Sequence, residues 1–196
     1  MNESVRMVVV LAVIAMVSAG ILSVVYSTTS VIIEENQARA LESSVFEVLP
    51  GTARVEILRR SADELGVDDP QEMREQEQRT TLIYQGVDDQ DQILGYAFVG
   101  EANGYGGVIR VLVGVDEKTD QILNIKILSH TETPGLGDRI EDEDFRSRFV
   151  GKTVEDPIAI NRDIDGLTGA TVSSNAVADA VRKGFVEVSA LYRGGE

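Results

Sequence analysis

The chain has 196 residues, a formal net charge of −15, one histidine and no cysteine, and 43% of its residues are hydrophobic. That apolar content suffices for a core, so the chain is not disordered, and the acidic balance argues against nucleic acid as a partner. The missing cysteines exclude disulfides, thiolate clusters and Fe–S ligation, and the single histidine excludes a multi-histidine metal or haem site, so redox chemistry here would need an organic cofactor.

From Met7 to Ile33 no residue is charged. Such a run is long enough to span a bilayer, which takes roughly 20 apolar residues. Val17-Ser18-Ala19 also resembles the cleavage site of a removed signal peptide, but the run stays apolar beyond it through Ile21, Leu22, Val24 and Val25. A retained anchor over residues 7–30 is therefore expected. Arg6 precedes it, which places residues 1–6 in the cytoplasm and the rest of the chain on the periplasmic or outer side of the cytoplasmic membrane. Residues 31–50 read as a helical connector, with Ala38, Leu41, Val45, Val48 and Leu49 at helical spacing ahead of Pro50.

Residues 51–196 are expected to form the globular domain. "ARVEILRR" alternates as a strand does, and the highly charged segment 61–79 reads as a solvated excursion, part helical. "TTLIYQ", "ILGYAFVG", "VIRVLVGVD" and "ILNIKILSH" follow as short strands separated by turn signals at 88–91 and 116–120. No helix long enough for a parallel crossover lies between them, so the sheet is predicted to be antiparallel. "EDEDFRSRFVG" predicts a short helix with an acidic first turn. The stretch from Ser173 predicts a last helix through Ala176, Val177, Ala180, Val181, Phe185, Val188 and Leu191. The fold class is α+β, with the anchor followed by an antiparallel sheet and flanking helices.

Two loops carry residues suited to chemistry. In Ser129–Arg139, "SHTETPGLGDR", the only histidine lies beside Glu132 and two threonines. A tight strand-to-helix connection explains the loop as well as acid–base work does, since His130 and Glu132 have no nucleophile or metal to serve. In Asp163–Ser174, "DIDGLTGATVSS", Gly166 and Gly169 suit a turn, and Thr171 or Ser173 suits the N-cap of the last helix. A helix start of that kind can also hold a phosphate. The loop lacks the lysine of a P-loop and the spacing of a dinucleotide fingerprint.

Asp165-Gly166-Leu167-Thr168-Gly169-Ala170-Thr171 resembles the flavinylation motif of the FMN-binding domain family: an Asp, two free positions, Ser or Thr, then Gly-Ala-Thr. The resemblance implies FMN joined through a phosphoester to the Thr171 hydroxyl by a separate FMN transferase that uses FAD. "HTETPGLG", His130–Gly137, and the cluster Gly104-Tyr105-Gly106-Gly107 resemble further signatures of the G subunit of the Rnf electron-transport complex and of the C subunit of the sodium-pumping NADH:quinone reductase. In those relatives the two loops flank the isoalloxazine ring. Carried over residue by residue, this implies that Glu132, Thr133, Leu136 and Gly137 contact FMN with Tyr105 nearby. It implies that Asp165, Gly166, Thr168, Gly169, Ala170 and Ser173 bind beside the attachment point. An ionised Glu132 there would lower the flavin potential. The implied role is that of a redox-carrier subunit, not catalytic alone, of an Rnf-type ion-translocating oxidoreductase complex, a translocase that passes electrons between ferredoxin and NAD and moves Na+ or H+. Its partners would be the other membrane subunits, the transferase and the bilayer. Ala12, Ala15, Ser18, Ala19 and Gly20 would allow close helix approach within the membrane. The alternatives are the C subunit of the sodium-pumping reductase and a membrane-anchored assembly module without flavin.

Overall fold

The computed structural model describes residues 3–60 and 81–193, without the side chains of much of 3–39. The charged segment 61–79 lies outside the described residues. Contacts divide the chain into two units, Met1–Leu41 and Glu42–Glu196. Helix α1, Glu3–Val48, is continuous, so the expected anchor and connector are parts of one helix. Among the described residues no helix is long and apolar enough to cross a membrane. Val8, Val9, Val10, Val13, Val24 and Val25 carry much of the apolar content of 7–30, and their side chains are not among those described.

The second unit is built on five antiparallel strands in the order β1 (Arg54–Arg60), β2 (Thr81–Val87), β3 (Ile93–Asn103), β4 (Val108–Asp116) and β5 (Ile122–Ser129). This is the α+β arrangement expected, with each strand on its predicted segment. Between β5 and the last helix lie a short helix α2, Glu143–Arg146, two 3-10 turns at Gly137–Glu141 and Ser147–Phe149, and an irregular stretch from 150 to 170. The last helix, α3, runs Thr171–Arg193.

Alternation of side chains along the strands gives the sheet two apolar faces. On one face Tyr96, Phe98, Ile109, Val111, Val113 and Val115 are buried against α3 and form the main core with Ala176, Val177, Ala180, Val181, Phe185 and Val188. Phe98 stacks on Phe185 with ring centroids 6.1 Å apart, and Tyr96 on Tyr192 at 4.3 Å. The helix lies close because both backbones are bare where they cross. A Cβ on Gly100 would strike the Ala180 carbonyl, and one on Gly184 would sit 2.6 Å from the Phe98 ring. On the opposite face the end of α1 covers Ala97, Leu112 and Gly114 with Val45, Val48 and Leu49, all 0–1% exposed apart from the glycine, which is buried. The second compact unit, Glu42–Glu196, includes these three side chains in its core.

Glu47 in the same turn takes Lys126 Nζ at 2.5 Å and Arg146 Nη1 at 3.5 Å. These pairs hold its carboxyl below the ordinary range, the Lys126 hydrogen bond outweighing the cost of burial. Leu49 fills a tight site, so Leu49→Ala should cost about 2–4 kcal/mol, whereas Val186→Ala on the exposed side of α3 should stay within about 0.5 kcal/mol. Urea midpoints of the two variants check the contrast.

Candidate functional site

A cleft of about 530 Å³ lies where three chain segments meet at one end of α3. Its walls are Tyr105, Glu132, Thr133, Leu136, Gly137, Gly169, Ala170, Thr171, Val172 and Ser173.

The first wall is the tip of the β3–β4 hairpin. Gly104 N donates to Gly107 O at 2.8 Å, and Tyr105 stands 75% exposed at the tip. The second wall is the loop after β5. Here Thr133 O accepts from the amides of Leu136, Gly137 and Asp138 at 2.9–3.4 Å, a tight turn that Gly135 permits with φ of 75°. Both ring nitrogens of His130 are engaged within the protein. Its Nδ1 accepts from Glu132 N at 3.1 Å, which places the ring proton on Nε2, 3.0 Å from Glu141 Oε1.

The third wall is the start of α3. Thr171 is the first helical residue, so neither it nor Ser173 is the N-cap. Ser173 is buried and its Oγ donates to Glu132 Oε2 at 2.5 Å. Ser174 holds the turn: its Oγ accepts from Leu167 N at 3.0 Å and donates to Ala170 O at 2.9 Å. Gly169 has φ of 85°, a left-handed turn that brings the chain into the helix. The amides of Thr171, Val172 and Ser173 have no acceptor within the helix by position, and these residues, at the positive end of the helix, line the cleft.

Glu132 joins all three walls. It is 5% exposed, and its Oε1 accepts from Gly106 N at 2.9 Å while its Oε2 takes Ser173. A Cβ on Gly137 would lie 2.8 Å from Glu132 Oε2, and one on Gly104 would strike Oε1. Gly104 and Gly137, one from each loop motif, are thus required by the close approach of backbone to this carboxylate.

Nine expected residues come together here: Tyr105, Glu132, Thr133, Leu136, Gly137, Gly169, Ala170, Thr171 and Ser173. Three do not line the cleft. Asp165 is exposed, and its carbonyl accepts from Arg148 Nη1 at 2.8 Å. Gly166 makes room for Ile160, whose Cγ2 would be 2.7 Å from a Cβ. Thr168 is exposed. Val172, 52% exposed, is a wall residue that the sequence reading missed; its only signal was its place beside Thr171.

The loop leading into α3 is braced by Asp163. Its Oδ1 accepts from Ala159 N at 2.8 Å, and its Oδ2 from Ile158 N at 3.2 Å and from Lys152 Nζ at 3.1 Å. Ile158 is held at φ of 41°, a costly conformation for a β-branched residue.

The match to known proteins follows the same outline. Residues 104–185 match the FMN-binding domain family, and residues 1–48 match the RnfG N-terminal region. The G subunit of the ion-translocating oxidoreductase complex of Methanosarcina acetivorans is 30% identical over 191 residues, 96% of either chain. The chain belongs to the G-subunit family of these complexes. Another G subunit, that of the proton-translocating ferredoxin:NAD(+) oxidoreductase complex of Clostridium ljungdahlii, is 33% identical over 109 residues, 53% of this chain and 58% of that one. In fold the chain is similar to the crystal structure of Shewanella oneidensis NqrC, with a TM-score of 0.63 and 16% identity over 82% of this chain and 99% of that one. The match to the FMN-binding family runs from the hairpin tip to the middle of α3 and so takes in every wall of the cleft.

Burial raises the Asp163 pKa, but the Ala159 amide and Lys152 outweigh it and hold the carboxyl below its ordinary value. The folded form is thus the stronger acid. Its stabilising effect is complete above the unfolded pKa of about 3.9 and is lost as pH falls through the lower folded value. Asp163→Asn should destabilise the domain by about 1–3 kcal/mol near neutral pH, with the gap to the parent narrowing below about pH 4. Thermal melts of both proteins between pH 2 and 7 check this.

Proposed function

We propose that the chain is an electron-relay subunit of an ion-translocating complex, carrying FMN on the Thr171 hydroxyl. The observation that carries this reading is the convergence of the three motif loops on one cleft with Thr171 at its edge. The cleft suits FMN in size and chemistry. Leu136, Val172 and Ala170 offer apolar packing to a ring, Thr133 and loop amides offer hydrogen bonds to its edge, and the helix start offers amides to a phosphate.

Burial separates the competing hydroxyls. Ser173 and Ser174 are buried and committed to Glu132, Leu167 and Ala170. Thr168 is exposed but lies outside the cleft, whereas Thr171 is both exposed and in its wall. In the attachment step the Thr171 oxygen bonds to the FMN phosphorus of FAD, the pyrophosphate bond breaks, AMP leaves and the hydroxyl proton goes to solvent. Among the described residues of the cleft wall no free general base stands beside Thr171, in keeping with a separate transferase. The phosphoester then lies at the positive end of α3, which offsets part of the cost of adding charge to an acidic protein.

Bound flavin supplies one-electron transfer between partner subunits; the protein supplies position and field. In the wider assembly the relay belongs between ferredoxin and NAD, with Na+ or H+ moved across the membrane. The uncharged stretch of α1 serves as the anchor. Leu11, Ile14, Met16, Val17, Ile21, Leu22 and Tyr26 are 57–74% exposed there, apolar surface that requires lipid or partner helices to cover it. With Arg6 on the cytoplasmic side, Thr171 faces the periplasm or exterior, where a covalent tether keeps a cofactor that cannot be replaced.

Thr171→Val keeps the shape of the side chain and removes the oxygen. After co-expression with an FMN transferase, intact mass should show one FMN adduct on the parent and none on the variant. An adduct retained on the variant would rule out Thr171. Protease added to intact spheroplasts should remove the domain and leave the anchor; survival of the domain until the membrane is opened would reverse the topology.

A further inference from the structure

Glu132 is a wall of the cleft, yet both of its oxygens are occupied by the protein. The donors stand on opposite sides: Gly106 belongs to the hairpin tip that carries Tyr105, and Ser173 to the first turn of the helix that carries Thr171. The backbone of Glu132 is itself anchored through its amide to His130, and His130 to Glu141. Among the described residues no cation pairs with the carboxylate, which is held by neutral donors alone. Burying a carboxylate in this way costs free energy that an apolar side chain would not. What the carboxylate gives in return is reach: one group accepts from two separate chain segments.

We infer that Glu132 is a positioning residue, a latch that joins the Tyr105 hairpin to the Thr171 turn and so forms the cleft before any flavin enters. The inference deepens the flavin reading and rests on it for the identity of the occupant. The latch itself is a property of the flavin-free chain. It also separates geometry from charge. In Glu132→Gln the side-chain carbonyl accepts from Gly106 N, and the amide donates to Ser173 Oγ, which turns its own proton away. Both links survive and the charge is gone. Glu132→Ala loses both links, and Ser173→Ala loses only the link to the helix.

The test uses the full chain in two forms, made with and without an FMN transferase. In the flavin-free form, amide hydrogen exchange is read at Gly106 and over residues 171–175. Exchange should rise at least tenfold at Gly106 in Glu132→Ala, rise at the helix start in Ser173→Ala, and stay within about threefold of the parent in Glu132→Gln. In the flavinylated form, visible circular dichroism reads how firmly the ring is held. It should fall by at least half in the two Ala variants and persist in Glu132→Gln. Unchanged exchange in both Ala variants, or a loss in Glu132→Gln equal to that in Glu132→Ala, would overturn the latch. If Glu132→Ala does not fold, Ser173→Ala against Glu132→Gln decides. A parent chain with no flavin adduct would instead overturn the flavin reading, and the exchange comparison would still decide the latch.

Discussion

The crossing of α3 over β3 is the constraint on which the site depends. Gly100 and Gly184 leave the two backbones nearly in contact, with Phe98 filling the space beside them against Phe185. A helix held that closely cannot slide without driving a carbonyl or a ring into the sheet. Its first turn is therefore fixed beside the hairpin tip and the loop after β5. The cleft is a by-product of this packing, and its residues come from three segments far apart in the chain.

Charge is distributed with the same economy. The chain carries a net charge of −15, yet among the described residues the only carboxylate in the cleft wall is Glu132, and it is occupied by Gly106 and Ser173. What faces a ligand is largely amide, hydroxyl and hydrocarbon. An anionic cofactor is repelled less by that surface than by the rest of the protein, and the helix start favours it. Thr171 combines exposure with a place in the first turn of α3, at the wall of the cleft.

The strands were legible because alternation and turn residues agree in this stretch, and α3 because its apolar positions recur at helical spacing over 23 residues. The motif loops were legible as patterns, and nine of their residues line one cleft. Three features were hidden because they depend on tertiary contact. Nothing in the local sequence says that Val48 and Leu49 of a connector belong to the core, since Val48 lies on Gly114 and Leu49 on Gly86 and Gly95, all on distant strands. Nothing says that Ser173 bonds Glu132, 41 residues away, instead of capping its helix. Asp165, Gly166 and Thr168 read as ligand contacts because they share a motif with Thr171, but the turn at Gly169 directs them away from the cleft.

The central claim is a phosphoester at one hydroxyl among several. Trypsin cleaves after Arg162 and Arg182, which isolates Asp163–Arg182 with Thr168, Thr171, Ser173 and Ser174 on one peptide. Fragmentation of that peptide from the flavinylated protein should show the mass of FMN less water, with the gain beginning at Thr171 in both fragment series. A gain located at Thr168, Ser173 or Ser174, or an unmodified peptide from a protein matured beside its transferase, would contradict the account.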